Sequence, residues 1–433
     1  MLVNVEPRGK IPWIETPLIK STTLSETAGC NVFLKLENLQ PSGSFKSRGI
    51  GSFMVAKLNA LGPDHGPAHF YSSSGGNAGL ACVHSAITLG CQATVVVPLS
   101  TTEYMIAKIR QAGATDVIQM GASWQEADSY LTGTLMAEAR AKGEAAIYVP
   151  PFDAQEIWDG NAGITHEIAK QLGPTLKHYP VSLENAPNDA GALSISNVDA
   201  IVCSVGGGGL FCGVVQGLDE LNMTKTQVIA VETEGANSLT HAVQKKELVA
   251  IPAITSLATS LGARTVCKQA FEYGLRDTVS TVVLSDAEAI AACRRFASEE
   301  HFLVELACSV CPALCYNGKL AELVPGFNKN SVVVLVVCGG SNISYDILEK
   351  YLSIQETVDR QEVAISNYDS GETTTRPVGV QGNFGLAPSD AGNKQPEMVA
   401  FVDAGPYGEF GLSRDGFGDG GLSGRAEPRV TSA

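Results

Sequence analysis

Short apolar runs that favour β-strands alternate along this chain with longer segments of helical pattern. A first series of such runs consists of NVFLKLE, AHFYSS, QATVVVP and ATDVIQM. A second series follows AAIYVPP and consists of VDAIVCSVGGGGL, TQVIAVETEGA, TVVLS and SVVVLVVCGGSN. Because alternating strands and helices build a parallel sheet that is covered by helices, we predict an α/β protein with parallel sheets. The two series predict two α/β domains.

Two stretches fall outside this alternation. Residues 174–197 are rich in Pro, Asn, Ser and Gly without a clear period, and we predict a surface loop there. From about residue 354 onward the chain loses apolar periodicity and gathers Gly, Asp, Pro, Ser and Thr. Residues 354–433 are therefore predicted to form a low-complexity, disordered tail, to which we assign no chemistry.

The composition limits the classes of partner. The chain has 45 acidic and 30 basic residues, for a formal net charge of −15, whereas nucleic-acid binding needs a clustered basic face. No apolar run is long enough for a membrane helix, and the opening MLVNVEPRGK lacks the basic-then-apolar layout of a secretory signal. We therefore expect a cytoplasmic protein that binds neither nucleic acid nor a membrane.

The cysteines indicate buried thiols. The chain has 11 of them, an odd number, and many lie in apolar strand or helix patterns such as DAIVCSVG. Cys308, Cys311 and Cys315 share helical spacing in LACSVCPALC, which suggests a metal site, but no second cluster of ligands accompanies them. Packing in the core is the favoured interpretation.

Four turns follow predicted strands, at the sheet ends where open parallel sheets bind ligands. SVGGGGL leaves N–H groups free to hold an anion, and its spacing favours a small phosphate over a dinucleotide; a flexible turn is the alternative. YSSSGGNAG and CGGSNIS each suit a ligand, although an ordinary helix cap explains either one alone. In VETEGANS, Glu232 suits a cation ligand and a helix cap equally well.

One lysine, Lys46, lies in the loop PSGSFKSRG just before a helical pattern. An aldehyde cofactor with a phosphate handle requires an amine for a Schiff base, amides for the phosphate and a partner for the ring nitrogen. Lys46, the glycine turn and a thiol or hydroxyl of CGGSNIS supply these groups. Pyridoxal phosphate is therefore the predicted cofactor, and an ordinary surface lysine is the alternative.

The motifs PSGSFKSRG, SSSGGNAG, SVGGGGL and VVCGGSNIS, in this order, resemble the fold-type II pyridoxal-phosphate enzymes. They are most similar to the eukaryotic L-serine dehydratases that also act on L-threonine, and the resemblance covers roughly residues 12–352. It implies a two-domain fold like that of the tryptophan synthase β chain. We assign residues 1–38 and 148–353 to a large cofactor-binding domain and residues 39–147 to a small domain. The resemblance also implies a homodimer.

The resemblance further implies a role for each motif. Lys46 forms the internal aldimine and acts as the base in a β-elimination that converts L-serine to pyruvate and ammonia, or L-threonine to 2-oxobutanoate. Phe45 lies against the cofactor ring and Cys338 faces its nitrogen. The residues implied to hold the cofactor phosphate are Gly206, Gly207, Gly208, Gly209 and Leu210. The residues implied to bind the substrate carboxylate or the ring oxygen of the cofactor are Ser74, Gly75 and Asn77.

A monovalent cation near the phosphate turn is also implied, and we expect potassium. The matching positions are Gly206, Glu232, Ala236, Leu261 and Ala263. Most of these ligands are implied to be backbone carbonyls, with Glu232 as the one charged ligand. A set of oxygen ligands suits a hard cation.

Two positions depart from the family pattern. Gly75 stands where racemases of the family keep a serine, which disfavours racemisation. Ser260 falls where close relatives have an alanine beside the ring, and its hydroxyl predicts a change in rate or substrate preference of unspecified direction. A serine racemase, a β-replacing enzyme of the same fold and a non-catalytic binding protein are the alternatives to a dehydratase.

Overall fold

The computed structural model describes residues 10–62, 66–178 and 198–355, with only the backbone for residues 176–178. Within these residues, ten β-strands form two sheets. The strands are β1 (Leu18–Ser21), β2 (Asn31–Lys35), β3 (Ala68–Ser72), β4 (Gln92–Val97), β5 (Asp116–Gln119), β6 (Ala145–Tyr148), β7 (Ala200–Ser204), β8 (Gln227–Thr233), β9 (Val279–Leu284) and β10 (Val332–Val336).

The larger sheet has six strands in the order β1-β2-β10-β7-β8-β9. All neighbours are parallel except β1 and β2, which pair antiparallel through Leu18 opposite Lys35. Every residue of β2, β7 and β10 is buried, as expected for strands that have helices on both faces. The smaller sheet has four parallel strands in the order β5-β4-β3-β6.

Helices connect the strands and cover the sheets. They are α1 (Thr22–Ala28), α2 (Lys46–Ala60), α3 (Asn77–Leu89), α4 (Glu103–Gln111), α5 (Trp124–Tyr130), α6 (Met136–Ala141), α7 (Gln155–His178), α8 (Gly209–Glu220), α9 (Ser238–Lys245), α10 (Lys268–Gly274), α11 (Asp286–Glu299), α12 (Leu306–Tyr316) and α13 (Leu320–Leu323). Short 3₁₀ turns span Glu37–Leu39 and Thr259–Leu261, and a π-helical turn spans Leu131–Leu135. A further helical segment covers residues 345–355.

A buried ionic cluster anchors α2 to the larger sheet and to α7. The guanidinium of Arg48 donates to both carboxylate oxygens of Glu37 at 2.6 and 2.8 Å, and to both of Glu167 at 2.6 Å. The ammonium of Lys35 donates to Glu167 at 2.6 Å and to the carbonyl oxygen of Thr16 at 2.6 Å. Burial opposes the charge of Arg48, but the two carboxylates outweigh burial and raise its pKa. The cluster fixes a helix whose first residue is Lys46.

The predicted α/β class with parallel sheets is confirmed, and the strands occur where the apolar runs placed them. The antiparallel β1 was not predicted. Helix α7 extends to His178, so the first five residues of the loop predicted at 174–197 are helical, and residues 179–197 lie outside the described residues. The predicted tail lies outside them from residue 356 onward. The domain boundaries at residues 38 and 148 stay a prediction.

All 11 cysteines lie within the described residues and all are free thiols. Ten of them are buried, and Cys91 is half-buried, in agreement with the expected packing of thiols in the core. Cys308, Cys311 and Cys315 lie on α12 in the apolar core around the larger sheet. Among the described helices, none combines the length and the apolar character that a bilayer crossing requires.

Candidate active site

The predicted ligand turns lie at the carboxyl ends of parallel strands. Gly206 follows β7, Glu232 is the penultimate residue of β8, and Cys338 follows β10. These three strands are neighbours in the larger sheet, so their carboxyl ends share one edge. The turn from Ser74 to Asn77 follows β3 of the smaller sheet.

Lys46 begins α2 and points its amine at the connection between the sheets. Its Nζ donates to the carbonyl oxygen of Pro151 at 2.5 Å, in the segment between β6 and α7. The same Nζ lies 5.3 Å from the ring centroid of Phe45, whose backbone N–H donates to the carbonyl oxygen of Cys338 at 3.1 Å. Burial lowers the pKa of the Lys46 amine to about 8, so the neutral, nucleophilic form is accessible near physiological pH.

The glycine turn between β7 and α8 suits an anionic group. Gly209 begins α8, a 12-residue helix, and no side chain caps its N-terminus. Gly208 has a φ of 98°, a conformation that glycine adopts without strain. A Cβ on Gly207 would lie 2.3 Å from Cδ1 of Phe152, so only a glycine allows this close approach. Backbone N–H groups at an uncapped helix start attract anions such as phosphate.

Cys338 lies between the ends of two neighbouring strands. Its Sγ is 3.5 Å from Oγ of Ser204, the last residue of β7, and the residue is 5% exposed. Beneath it, the Sγ of Cys308 on α12 accepts from the N–H of Gly339 at 3.4 Å. The position therefore offers a thiol, which is a weak hydrogen-bond donor, at the edge where the glycine turn also lies.

Asn77 begins α3 and connects the smaller sheet to the turn after β10. Its Oδ1 accepts from the backbone N–H of Ser341 at 2.9 Å, and its Nδ2 donates to Oε1 of Glu305 at 2.9 Å. The same Nδ2 lies 3.5 Å from Oγ of Ser260. The two sheets thus meet at this amide, whose second N–H makes only a long hydrogen bond, at 3.5 Å, to Ser260.

Ser74 and Gly75 lie in the turn that precedes α3. Oγ of Ser74 accepts from the N–H of Gly76 at 3.4 Å, so the serine closes its own turn. A Cβ on Gly75 would lie 2.8 Å from Cγ2 and 2.9 Å from Oγ1 of Thr101. A larger residue at position 75 would therefore displace Thr101.

Glu305 was missed by the sequence analysis. It directly precedes α12, is 4% exposed, and its Oε1 also accepts from the backbone N–H of Asn342 at 2.7 Å. Oγ of Ser260 donates to its Oε2. The available signal was a lone carboxylate within the apolar run HFLVELACSV, because such a group is rarely buried without partners.

Glu232 caps a helix. Its Oε1 accepts from the N–H of Leu239 at 2.8 Å, and its Oε2 accepts from the N–H of Thr240 at 2.8 Å and from the hydroxyl at 2.6 Å. These groups belong to the first turn of α9. Burial raises the pKa of the Glu232 carboxyl to about 7. The capping alternative from the sequence analysis is observed, and the cation role stays a prediction.

Some of the predicted cation positions lie close together. A Cβ on Gly206 would lie 3.3 Å from the carbonyl oxygen of Leu261, and the N–H of Ala263 donates to the same oxygen at 2.7 Å. Ala236 follows β8, and its N–H donates to Thr233 at 2.9 Å. Within the described ranges, no cluster of three His, Cys, Asp or Glu side chains suits a metal ion.

The sequence pattern of a family described as pyridoxal-phosphate dependent enzyme matches residues 11–339. The chain belongs to this family. It is 39% identical to an L-serine dehydratase of Saccharomyces cerevisiae over 341 residues, which cover 78% of this chain and 96% of the yeast protein. It is 40% identical to the L-serine dehydratase/L-threonine deaminase of Homo sapiens over 335 residues, which cover 76% of this chain and 92% of the human protein.

The solved structures agree with this assignment. A fungal L-serine ammonia-lyase from Rhizomucor miehei superposes with a TM-score of 0.68 at 33% identity, covering 79% of this chain and 99% of that protein. The predicted cofactor, pyridoxal phosphate, is therefore confirmed at the level of the family. The described residues fit it, since Lys46 offers a buried amine and the uncapped start of α8 offers free amides.

Proposed function

We propose that this protein is a pyridoxal-phosphate-dependent L-serine ammonia-lyase that also accepts L-threonine. The reaction converts L-serine to pyruvate and ammonia, and L-threonine to 2-oxobutanoate and ammonia. The names of the yeast, human and Rhizomucor relatives support this substrate class. The observation that carries the proposal is the amine of Lys46, whose pKa is lowered to about 8 by burial.

Each site residue has a role in this proposal. Bound pyridoxal phosphate supplies an aldehyde that condenses with amines and a ring that withdraws electrons from the α-carbon. The amine of Lys46 removes the α-proton of the substrate, since a base with a pKa near the working pH is the most effective. Phe45 would lie against the ring of the bound cofactor, and the amides of the glycine turn would hold its phosphate. The residues of that turn are Gly206, Gly207, Gly208, Gly209 and Leu210.

The remaining site residues bind the substrate and contact the ring nitrogen of the cofactor. Ser74 and Gly75 bind the substrate carboxylate at the start of α3, where N–H groups favour an anion. Asn77 would turn its second N–H, which here donates over 3.5 Å to Ser260, to the ring oxygen or to the carboxylate. Cys338 would face the ring nitrogen of the bound cofactor, and because a thiol donates weakly, it would leave that nitrogen unprotonated.

The structure around Gly75 favours elimination over racemisation. Racemisation requires a second acid–base group on the opposite face of the ring, and the family's racemases carry a serine there. Thr101 crowds this position, since its Cγ2 would lie only 2.8 Å from a Cβ on Gly75, which leaves little room for such a side chain. D-serine formed alongside pyruvate would contradict this part of the proposal.

The proposal also includes a bound potassium ion, a homodimeric state and a cytoplasmic location. The carbonyl oxygen of Leu261 close to Gly206 supports a cation position beside the phosphate turn. The homodimer and the cytoplasmic location rest on the resemblance alone. Light scattering of the purified protein tests the homodimer, and fractionation of cells tests the cytoplasmic location.

The deciding experiment compares the wild type with Lys46→Ala and with the control Lys57→Ala. Lys57 lies on the same helix, is 38% exposed and pairs with Glu156, so its loss changes the charge of α2 outside the site. Each protein is loaded with pyridoxal phosphate, its visible absorbance is recorded, and pyruvate is measured after addition of L-serine. We expect a cofactor band and pyruvate in the wild type and in Lys57→Ala, and neither in Lys46→Ala.

A cofactor band without pyruvate would reject the ammonia-lyase and favour a racemase or a β-replacing enzyme. A wild type without a cofactor band would favour a non-catalytic protein that keeps the fold.

A further inference from the structure

A buried carboxylate stands behind the polar groups that line the site. Glu305 is 4% exposed, and its two oxygens face different elements. Its Oε1 binds Asn77 at 2.9 Å and the N–H of Asn342 at 2.7 Å, and its Oε2 binds the hydroxyl of Ser260. None of these contacts is needed to cap α12, because Glu305 makes no side-chain cap bond to that helix.

The first consequence concerns the amide of Asn77. The backbone N–H of Ser341 can only donate, so the atom that faces it at 2.9 Å must be the amide oxygen. Nδ2 then lies on the other side and requires an acceptor, which Glu305 provides. The amide is therefore fixed in one orientation, and the group that it presents to a ligand is its second N–H, which makes only a long hydrogen bond, at 3.5 Å, to Ser260.

The second consequence concerns Ser260. Its hydroxyl hydrogen is used by Glu305, so the oxygen has only lone pairs to offer to other groups. Ser260 is exposed, whereas Glu305 behind it is buried. Its neighbour Leu261 lies against Gly206 of the phosphate turn, so Ser260 borders the same site. This exposed oxygen accepts a long hydrogen bond from Nδ2 of Asn77 at 3.5 Å and keeps a second lone pair for a ligand.

We propose that Glu305 is a positioning residue that holds Asn77 as a donor and Ser260 as an acceptor towards the ligand, and that this pair selects amino acids bearing a hydroxyl group. The inference rests on the proposed elimination from L-serine. The hydroxyl of L-serine can donate to the Ser260 oxygen, while a substrate whose leaving group carries no hydrogen cannot. Ser260, which stands where close relatives have an alanine, then predicts a preference for hydroxyl substrates.

The variants Ser260→Ala and Glu305→Gln test the selection. In Glu305→Gln, the side-chain carbonyl must stay on Asn77 and Asn342, because both of these groups donate to it. The new NH₂ then faces Ser260 and occupies one of its lone pairs. Both changes therefore act on the same hydroxyl. The control is Thr259→Val, which removes a neighbouring hydroxyl that accepts from Asn342 at 3.4 Å.

The first readout is the ratio of kcat/KM for L-serine to kcat/KM for 3-chloro-L-alanine, whose chloride leaves without a proton. We expect Ser260→Ala and Glu305→Gln each to lower this ratio about ten-fold, the loss for one hydrogen bond. The double variant should fall no further than Ser260→Ala, and Thr259→Val should leave the ratio unchanged. An equal loss for both substrates, or additive losses in the double variant, would overturn the selection.

The second readout is the affinity of the apoprotein for pyridoxal phosphate, followed by protein fluorescence. Glu305→Gln keeps the Asn77 amide in place and should retain this affinity within about two-fold, whereas Glu305→Leu frees the amide and should weaken it about ten-fold. Circular dichroism checks that both variants fold. If Glu305→Leu does not fold, the cofactor affinity of Glu305→Gln alone decides. A Gln variant whose cofactor affinity falls ten-fold would overturn the positioning of Asn77. A wild type that binds the cofactor but eliminates from neither substrate would instead reject the proposed function.

Discussion

Replacement of Arg48 by methionine should destabilise the protein far more than the loss of an ordinary surface charge. Arg48 is 1% exposed and donates four hydrogen bonds of 2.6 to 2.8 Å to Glu37 and Glu167. Glu37 is fully buried and keeps only Thr16 and Gln40 as donors after the change. An unpaired buried charge costs about 3–5 kcal/mol of folding free energy, and we expect a loss in this range.

The matched control is Lys170→Met. Lys170 is paired with Glu15 at 2.8 Å, but the two side chains are 71% and 45% exposed. Exposed pairs are screened by water and contribute little to stability, although the formal charge change equals that of Arg48→Met. Urea unfolding, followed by circular dichroism on apoproteins, gives the free energy of unfolding without a contribution from cofactor binding.

A double variant tests the cause. In Glu37→Leu combined with Arg48→Met, the uncompensated carboxylate is absent, so this protein should be more stable than Arg48→Met by about 1–3 kcal/mol. If Arg48→Met costs no more than Lys170→Met, or if the two losses simply add in the double variant, the assignment of the cost to a stranded buried charge is wrong.

Three further predictions concern the site. The rate of pyridoxal phosphate loading by the apoprotein should rise with pH and level off above about pH 8, because Lys46 must lose its proton to react. Stopped-flow spectra measure this rate. A rise that continues to about pH 10.5 would indicate an ordinary lysine. Gly207→Ala forces a methyl against Phe152 and should weaken cofactor affinity about ten-fold, whereas Gly133→Ala, which meets nothing within 4 Å, should not. Glu232→Gln should raise the potassium concentration for half-maximal activity about ten-fold; an unchanged value would remove Glu232 from the cation site.

The fold was largely predictable because strand and helix periods are local properties. The runs around β3, β4, β7 and β10 are short, apolar and followed by turn residues, and each became a strand. Lys46 was placed just before a helical pattern for the same reason, and it begins α2. The antiparallel strand β1 was not predictable in this way, since its extended conformation depends on pairing with β2 rather than on a local pattern.

The connections of the site depend on contacts between distant segments, and the sequence holds no local signal for them. Pro151 lies 105 residues from Lys46 and accepts its amine only because the link between the sheets passes there. Glu305 lies 228 residues from Asn77, and a glutamate before a helix is most simply explained as exposed. For Glu232 the sequence left two alternatives, and the hydrogen bonds to Leu239 and Thr240 establish the cap.

The order of strands in the larger sheet has a consequence for how the protein folds. β10 is the last described strand in the chain, yet it lies between β2 and β7 and pairs with both. Until residues 332–336 leave the ribosome, β1 and β2 have no partner in the rest of the sheet, while the smaller sheet is already complete at Tyr148. Such long-range closure is slow because a large loop must be ordered first. Nascent chains therefore expose the apolar edges of β2 and β7 during synthesis, and these edges stay open to non-native pairing until β10 has been made.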